Sequence, residues 1–159
     1  YFETRREFFT AKGGYVKKVQ IFCDGSCLGN PGNGGWAYIL RYKEHEKKAS
    51  GAKANTTNNQ MELSAAINAL KALKESCEVE LFTDSRYTEK GIKERLAKKK
   101  KNGFKTASKQ PIKNQELWQE LANLLAFHKV KAQWVKGHAG HAENELCDQM
   151  ARSEALDLK

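Results

Sequence analysis

Apolar and polar residues follow two periodicities along the chain, and these divide it into predicted strands and helices. Short runs rich in β-branched and aromatic residues predict five strands, at about 19–23, 36–40, 47–54, 79–83 and 130–135. Apolar residues at helical spacing predict four helices, at about 58–74, 85–96, 114–127 and 143–156. Three consecutive strands, followed by strands that alternate with helices, are typical of an α/β fold with a mixed sheet.

Three carboxylates occupy positions that suggest a shared site. Asp24 and Asp84 each follow an apolar strand, and the Gly, Asn and Pro residues after Asp24 predict that the first strand ends near it. A single Asp-Gly pair is common in turns, but here an acid after a strand occurs twice. Glu62 lies beside an apolar helical stripe, where burying a charge without a partner is costly. A divalent metal would offset that cost, because Mg²⁺ and Mn²⁺ prefer carboxylate oxygens.

Four segments resemble the four motifs of bacterial-type ribonuclease H, in the family's order and at its approximate spacing. They are 24–32 (DGSCLGNPG), 56–63 (TTNNQMEL), 83–85 (TDS) and 134–148 (WVKGHAGHAENELCD). The resemblance extends from about Val19 to about Ala155. It implies a ribonuclease H-like α/β fold, in which a five-stranded mixed sheet starts as an antiparallel meander, continues with parallel strands, and is flanked by helices and a basic protrusion.

The resemblance also implies an activity, a metal-dependent endoribonuclease that hydrolyses the RNA strand of RNA/DNA hybrids without sequence specificity. The implied products carry 5′-phosphate and 3′-hydroxyl ends. The implied metal ligands are Asp24, Glu62, Asp84 and Asp148, which would hold two Mg²⁺ ions, with Mn²⁺ as a substitute. Two such ions can lower the pKa of a water molecule and neutralise the leaving oxygen. His138 matches a loop histidine thought to assist proton movement or product release, although an ordinary surface histidine is the alternative.

Hybrid contacts are implied at neutral polar residues and in a basic segment, since small polar groups can recognise 2′-hydroxyls in a shallow minor groove. The expected contacts are Cys27 through its backbone, Asn30, Asn58, Asn59, Arg86, Lys98, Lys99, Lys100, Lys101 and Phe104. For the asparagines, capping and turn formation are alternative roles. Arg86 stands where relatives commonly have Gln. Relatives also carry several tryptophans in the basic segment, where Phe104 is the one aromatic residue here.

The net charge of +9 is concentrated in one part of the chain. Residues 93–113 include nine basic residues and one acid, Glu94. A lysine run is often only a solvated helix face, but so much like charge in one ordered place repels itself unless a polyanion neutralises it. We therefore expect salt-dependent contact with nucleic acid that is largely independent of sequence.

Length and composition predict the number of domains, the cellular compartment and the state of the cysteines. The 159 residues fit one domain, and we assign 1–18 to an N-terminal extension of unassigned function and 19–159 to the catalytic domain. The sequence lacks an apolar run long enough to span a membrane. Its four cysteines are scattered, which favours reduced thiols in the cytoplasm over a disulfide set or zinc site. A monomer is expected, with His45 and His128 at the surface.

Two alternatives to a free-standing enzyme stay open from the sequence. One is a catalytically silent module that binds hybrids through its basic segment, against which the intact acids at all four motif positions argue. The other is a nuclease domain cut from a larger polypeptide, such as a reverse transcriptase. The sequence by itself does not establish that the four acids meet in space.

Overall fold

The computed structural model describes residues 16–136 and 141–158, which form one mixed sheet with helices on both faces. The strands are β1 (Lys18–Cys27), β2 (Gly32–Tyr42), β3 (His45–Thr56), β4 (Glu78–Thr83) and β5 (Lys129–Trp134). The helices are α1 (Asn58–Lys71), α2 (Arg86–Lys90), α3 (Leu96–Lys101), α4 (Gln115–Phe127) and α5 (Ala142–Asp157). A π-helical turn, Gly91–Arg95, joins α2 to α3. Among the helices so described, none has the length and apolar character that a membrane span requires.

The sheet has the strand order β3-β2-β1-β4-β5. β1, β2 and β3 pair antiparallel, whereas β4 pairs parallel with both β1 and β5. This arrangement confirms the predicted meander followed by parallel strands. It also sets β1 beside β4, so that residues at the carboxyl ends of these two strands meet at one edge of the sheet.

The core lies on both faces of the sheet. On one face, β1 and β4 contribute Ile21 and Leu81, which pack against the predicted apolar stripe of α1 and against Trp118 and Leu121 of α4. On the other face, a smaller cluster joins Phe22 and Ile39 to α5. The helix that carries Glu62 therefore packs against the strand that carries Asp24 and the strand that directly precedes Asp84.

Three sequence predictions need correction. β1 does not end near Asp24 but continues to Cys27, because β2 supplies an antiparallel partner as far as Gly34. The predicted helix 85–96 is interrupted by the π-helical turn and then extends through the lysines of α3. His128 is buried rather than exposed, since its Nδ1 accepts a hydrogen bond from the Cys77 amide at 3.1 Å.

Candidate active site

Three carboxylates converge at the edge of the sheet. Asp24, Glu62 and Asp84 each place one carboxylate oxygen within 4.8 Å of the others. Asp24 and Glu62 are buried, with 4% and 6% of their surface exposed, and Asp84 is half-buried. We call these three residues the acid cluster.

The strand register explains why two of these residues meet. The parallel pairing of β1 with β4 runs as far as Cys23 opposite Thr83. Asp24 and Asp84 are the next residues of their segments, so both leave the paired region at the same level. β1 continues past this point only because β2 still pairs with it.

Gly25 connects the third acid to the first two. Its backbone N–H donates to Asp24 Oδ1 at 2.9 Å and to Glu62 Oε1 at 3.0 Å. A Cβ at this position would overlap the backbone of Met61 and Glu62, so glycine permits α1 to approach β1 this closely. One shared donor thus fixes the spacing of the two buried carboxylates.

Negative charge on the acid cluster is unfavourable, because the carboxylates are close together and two of them are buried. Burial, followed by the charges of Asp84 and Asp148, raises the pKa of Asp24 from 3.8 to about 8. Burial and the charge of Asp24 likewise raise the pKa of Glu62 well above its usual range. Within the described part of the chain, no group donates a hydrogen bond to the buried Asp84 Oδ1. Crowded carboxylate oxygens with an unused acceptor fit a hard divalent cation.

Asp148, the fourth predicted ligand, lies beside the acid cluster on α5. It is half-buried and lines a small cavity together with Asp84 and Asn144. Its Oδ2 accepts a hydrogen bond from Arg152 at 3.2 Å. Its charge contributes to the raised pKa of Asp24, so Asp148 is electrostatically coupled to the cluster.

Asn144 supports the site in a way that the sequence analysis missed. It is buried, and its Nδ2 donates to the backbone oxygens of Phe82 at 3.3 Å and Cys23 at 3.5 Å. Cys23 directly precedes Asp24, and Phe82 lies two residues before Asp84. The available signal was a polar residue one helical turn before Asp148, on the same face of the predicted helix.

Two histidines belong to the last motif. His138 lies outside the described residues, so its role stays a prediction. The ring of His141 lies 5.7 Å from that of Phe22 and 5.6 Å from that of Phe82, measured between centroids. His141 therefore packs against the strands below the cluster.

The three predicted asparagine contacts lie around the first turn of α1 and the loop after β1. Asn30 and Asn58 are exposed, and Asn30 Oδ1 accepts a hydrogen bond from the backbone N–H of Asn58 at 3.2 Å. Asn59 is half-buried. The residue that caps α1 is Thr57, whose side chain accepts a hydrogen bond from the backbone N–H of Gln60. The side chains of Asn58 and Asn59 are thus not needed to cap the helix.

Cys27 and Phe104 both use their side chains within the protein. The Cys27 Sγ lies 3.3 Å from the Thr56 oxygen and donates to it, which leaves the backbone as the part of Cys27 suited to a ligand. Phe104 adopts φ of 58° and packs against the main core. Its ring therefore has a packing role that the sequence did not indicate.

The predicted basic contacts lie along the helical stretch that begins two residues after Asp84. Arg86 and the α3 residues Lys98, Lys100 and Lys101 are exposed, and Lys99 is half-buried. These five side chains are cationic, so they cannot serve as ligands to a metal ion in the acid cluster. They extend positive charge from the edge of the sheet along the protein surface.

Comparisons with known proteins agree with this geometry. The sequence profile of the ribonuclease H family, described as RNase H, matches residues 16–156. A ribonuclease H from Campylobacter concisus is 65% identical over 144 residues, which cover 91% of this chain and 96% of the relative. The chain therefore belongs to the ribonuclease H family. The expectation of a nuclease, and so of a hydrolase, is confirmed with it.

Solved structures show the same fold. LC9-RNase H1, a type 1 RNase H with the type 2 active-site motif, is 32% identical with a TM-score of 0.80, over 89% of this chain and 73% of that one. LC11-RNase H1 in complex with an RNA/DNA hybrid is 20% identical with a TM-score of 0.67, over 86% of this chain and 96% of that one. The second likeness concerns the fold alone.

Proposed function

We propose that this protein is an endoribonuclease that hydrolyses the RNA strand of RNA/DNA hybrids without sequence specificity. The observation that carries the proposal is the acid cluster, in which three carboxylate oxygens lie within 4.8 Å of one another. Membership in the ribonuclease H family and the fold shared with a hybrid-bound protein support the choice of substrate. The expected products have 5′-phosphate and 3′-hydroxyl ends.

Asp24, Glu62 and Asp84 would hold the divalent cofactor, two Mg²⁺ ions or Mn²⁺ as a substitute, and Asp148 would complete the ligand set. When bound, such ions stabilise negative charge on a phosphate and lower the pKa of water. The chain itself contributes a rigid set of ligands, because Gly25 bridges Asp24 and Glu62 with one N–H. No side chain of the cluster needs to act as a nucleophile.

Substrate binding would use the surfaces beside the cluster. Asn30, Asn58 and Asn59 offer amide donors and acceptors that suit 2′-hydroxyl groups, and Cys27 offers its backbone. Arg86 and the lysines of α3 would contact phosphates, with Phe104 beside them. His138 would assist proton transfer or product release. A monomer that acts in the cytoplasm stays our expectation.

The test is a cleavage assay on one sequence prepared as RNA/DNA hybrid, as RNA duplex and as single-stranded RNA. We expect cleavage of the hybrid's RNA strand with Mg²⁺ and no cleavage with chelator. Asp24→Asn should abolish cleavage while the hybrid still binds, and end analysis of the products checks the 5′-phosphate. A hybrid that binds but stays intact in both Mg²⁺ and Mn²⁺ would refute the proposal in favour of a silent binding module.

A further inference from the structure

Glu89 is a buried carboxylate outside the acid cluster, and it lies between two cations. Its side chain is 6% exposed. Its Oε2 lies 2.9 Å from Lys93 Nζ, one turn further along the helical stretch. Its Oε1 lies 3.6 Å from Arg86 Nη1. Across residues 16–136 and 141–158, no group donates a hydrogen bond to Oε1.

Arg86 is held from a second direction by an aromatic ring. Its Cζ lies 3.6 Å from the centroid of the Trp134 ring. Trp134 ends β5 opposite Thr83, and its Nε1 donates to the Asp84 backbone oxygen at 3.2 Å. The surface on which the guanidinium lies is therefore fixed to the same residue that supplies a carboxylate to the cluster.

Among the residues that the structure describes, none accepts a hydrogen bond from the Arg86 guanidinium, so its donors are available to a ligand. The side chain is 56% exposed, and a separation of 3.6 Å makes its contact with Glu89 an ion pair rather than a hydrogen bond. Lys93 satisfies the other carboxylate oxygen, so Glu89 can orient Arg86 without binding it fully. A planar guanidinium fork matches phosphate oxygens in pairs, and prior orientation reduces the entropy lost on binding.

We propose that Arg86 binds a backbone phosphate of the nucleic acid at the acid cluster, and that Glu89 is a positioning residue that acts through Arg86. The inference rests on the proposed function and adds a residue with no direct contact to substrate. It also explains why a buried acid lies just before the basic segment 93–113.

The charge of Glu89 makes the inference testable by the sign of an effect. Glu89→Gln removes a negative charge next to the binding surface, and long-range attraction alone would then strengthen binding of a polyanion. A positioning role predicts the opposite, because an unoriented Arg86 binds phosphate less well. A purely structural role predicts a lower unfolding temperature with unchanged binding.

The experiment is a double-mutant cycle on hybrid cleavage with Glu89→Gln, Arg86→Gln and the double variant. We expect Glu89→Gln to raise KM about fivefold, with a smaller change in kcat, and Arg86→Gln to raise KM at least as much. In the Arg86→Gln background, Glu89→Gln should change KM less than about twofold, because its route of action is gone. Additive effects, or a lower KM for Glu89→Gln, would overturn the inference.

Two further variants keep the test decisive. Arg86→Lys changes an exposed residue and retains its charge but not the planar guanidinium fork. We expect this variant to raise KM nearly as much as Arg86→Gln does. A KM equal to that of the parent would overturn the role of the fork. Glu120→Gln is the charge control, since it removes an acid from a surface pair with Lys71 of 3.0 Å and should not raise KM.

Failure of this inference is separable from failure of the proposed function. If the parent protein does not cleave the hybrid at all, the proposed function is wrong. If the parent cleaves and the Glu89 and Arg86 variants show the parent's KM, the roles given to Arg86 and Glu89 are wrong, whereas the proposed activity stands.

Discussion

Replacing Asp24 by Asn should stabilise the metal-free protein while it destroys the proposed activity. Asn has nearly the same shape, and its side-chain oxygen can still accept the Gly25 N–H that lies 2.9 Å from Asp24 Oδ1. The substitution removes a charge that burial and two neighbouring acids oppose. The cost of assembling the acid cluster without a cation then becomes measurable.

The magnitude follows from the pKa of Asp24, which is about 8 in the folded protein against 3.8 as the ordinary value. Between these values the folded protein binds a proton that the unfolded chain has released, so the free energy of unfolding falls as pH rises. At pH 7 the pH lies about 3.2 above the ordinary pKa of 3.8. At about 1.36 kcal/mol per pH unit, the parent has lost at most about 4 kcal/mol of its free energy of unfolding at pH 7, and the variant has not.

The assay is thermal unfolding by circular dichroism with chelator, from pH 4 to pH 8. A difference of about 4 kcal/mol corresponds to a rise of roughly 10 °C in Tm for a chain of this size. The two proteins should have similar Tm values near pH 4 and diverge as pH rises. Mg²⁺ should narrow the gap, since it stabilises the parent by binding its folded state.

Asp157→Asn provides the matched control, because it removes an exposed carboxylate of α5 and should leave the pH dependence unchanged. A Tm difference between Asp24→Asn and the parent that stayed constant from pH 4 to pH 8 would refute the electrostatic explanation. So would an Asp24→Asn variant no more stable than the parent at pH 8.

Three further predictions concern other parts of the molecule. Burial lowers the pKa of His128, so the stability that this residue contributes is present above the unfolded pKa of about 6.5 and is lost as pH falls below it. We expect His128→Asn to show a smaller drop in the free energy of unfolding between pH 7 and pH 5, measured by urea titration. Gly25→Ala should lower the free energy of unfolding in urea by about 1–3 kcal/mol and abolish most hybrid cleavage, because the added Cβ overlaps the backbone of α1. Activity like that of the parent would contradict this prediction. Changing Lys98, Lys100 and Lys101 to Gln should reduce the slope of log Kd against log salt by about 0.9 for each phosphate that these lysines neutralise. Fluorescence anisotropy with a labelled hybrid measures this slope. An unchanged slope would exclude a role for these lysines in binding phosphates.

The sheet was predictable because its signal is local. The apolar runs of β1 and β4 contrast with the turn residues around them, and the stripe beside Glu62 identified the buried face of α1. The boundary of β1 was not predictable, since its extension past Asp24 depends on pairing with β2. Local residue preferences cannot report a partner that is distant in sequence.

The site was predictable in its residue types but not in its supports. The acids could be named from their motifs, whereas the Gly25 N–H shared by two carboxylates is a backbone contact with no sequence signature. The spacing of Glu89 from Arg86 and Lys93 suits ion pairs on a helix, but only packing determines that Glu89 is buried. The helix α3 lacked an apolar periodicity because Leu96 is its one buried residue.

The π-helical turn sets the direction in which the lysines of α3 face. A π-helical turn holds one residue more than an α-helical turn, and one residue corresponds to about 100° of rotation about the helix axis. Gly91 makes room at this turn for the ring of Trp118, with which a Cβ would collide. Deleting one residue from Gly91–Arg95 would keep every lysine of α3 yet rotate the exposed row by about a quarter of a circle. If the lysines of α3 bind a duplex as proposed, the winding of the helix at Gly91–Arg95 therefore sets the angle at which their positive charge meets it.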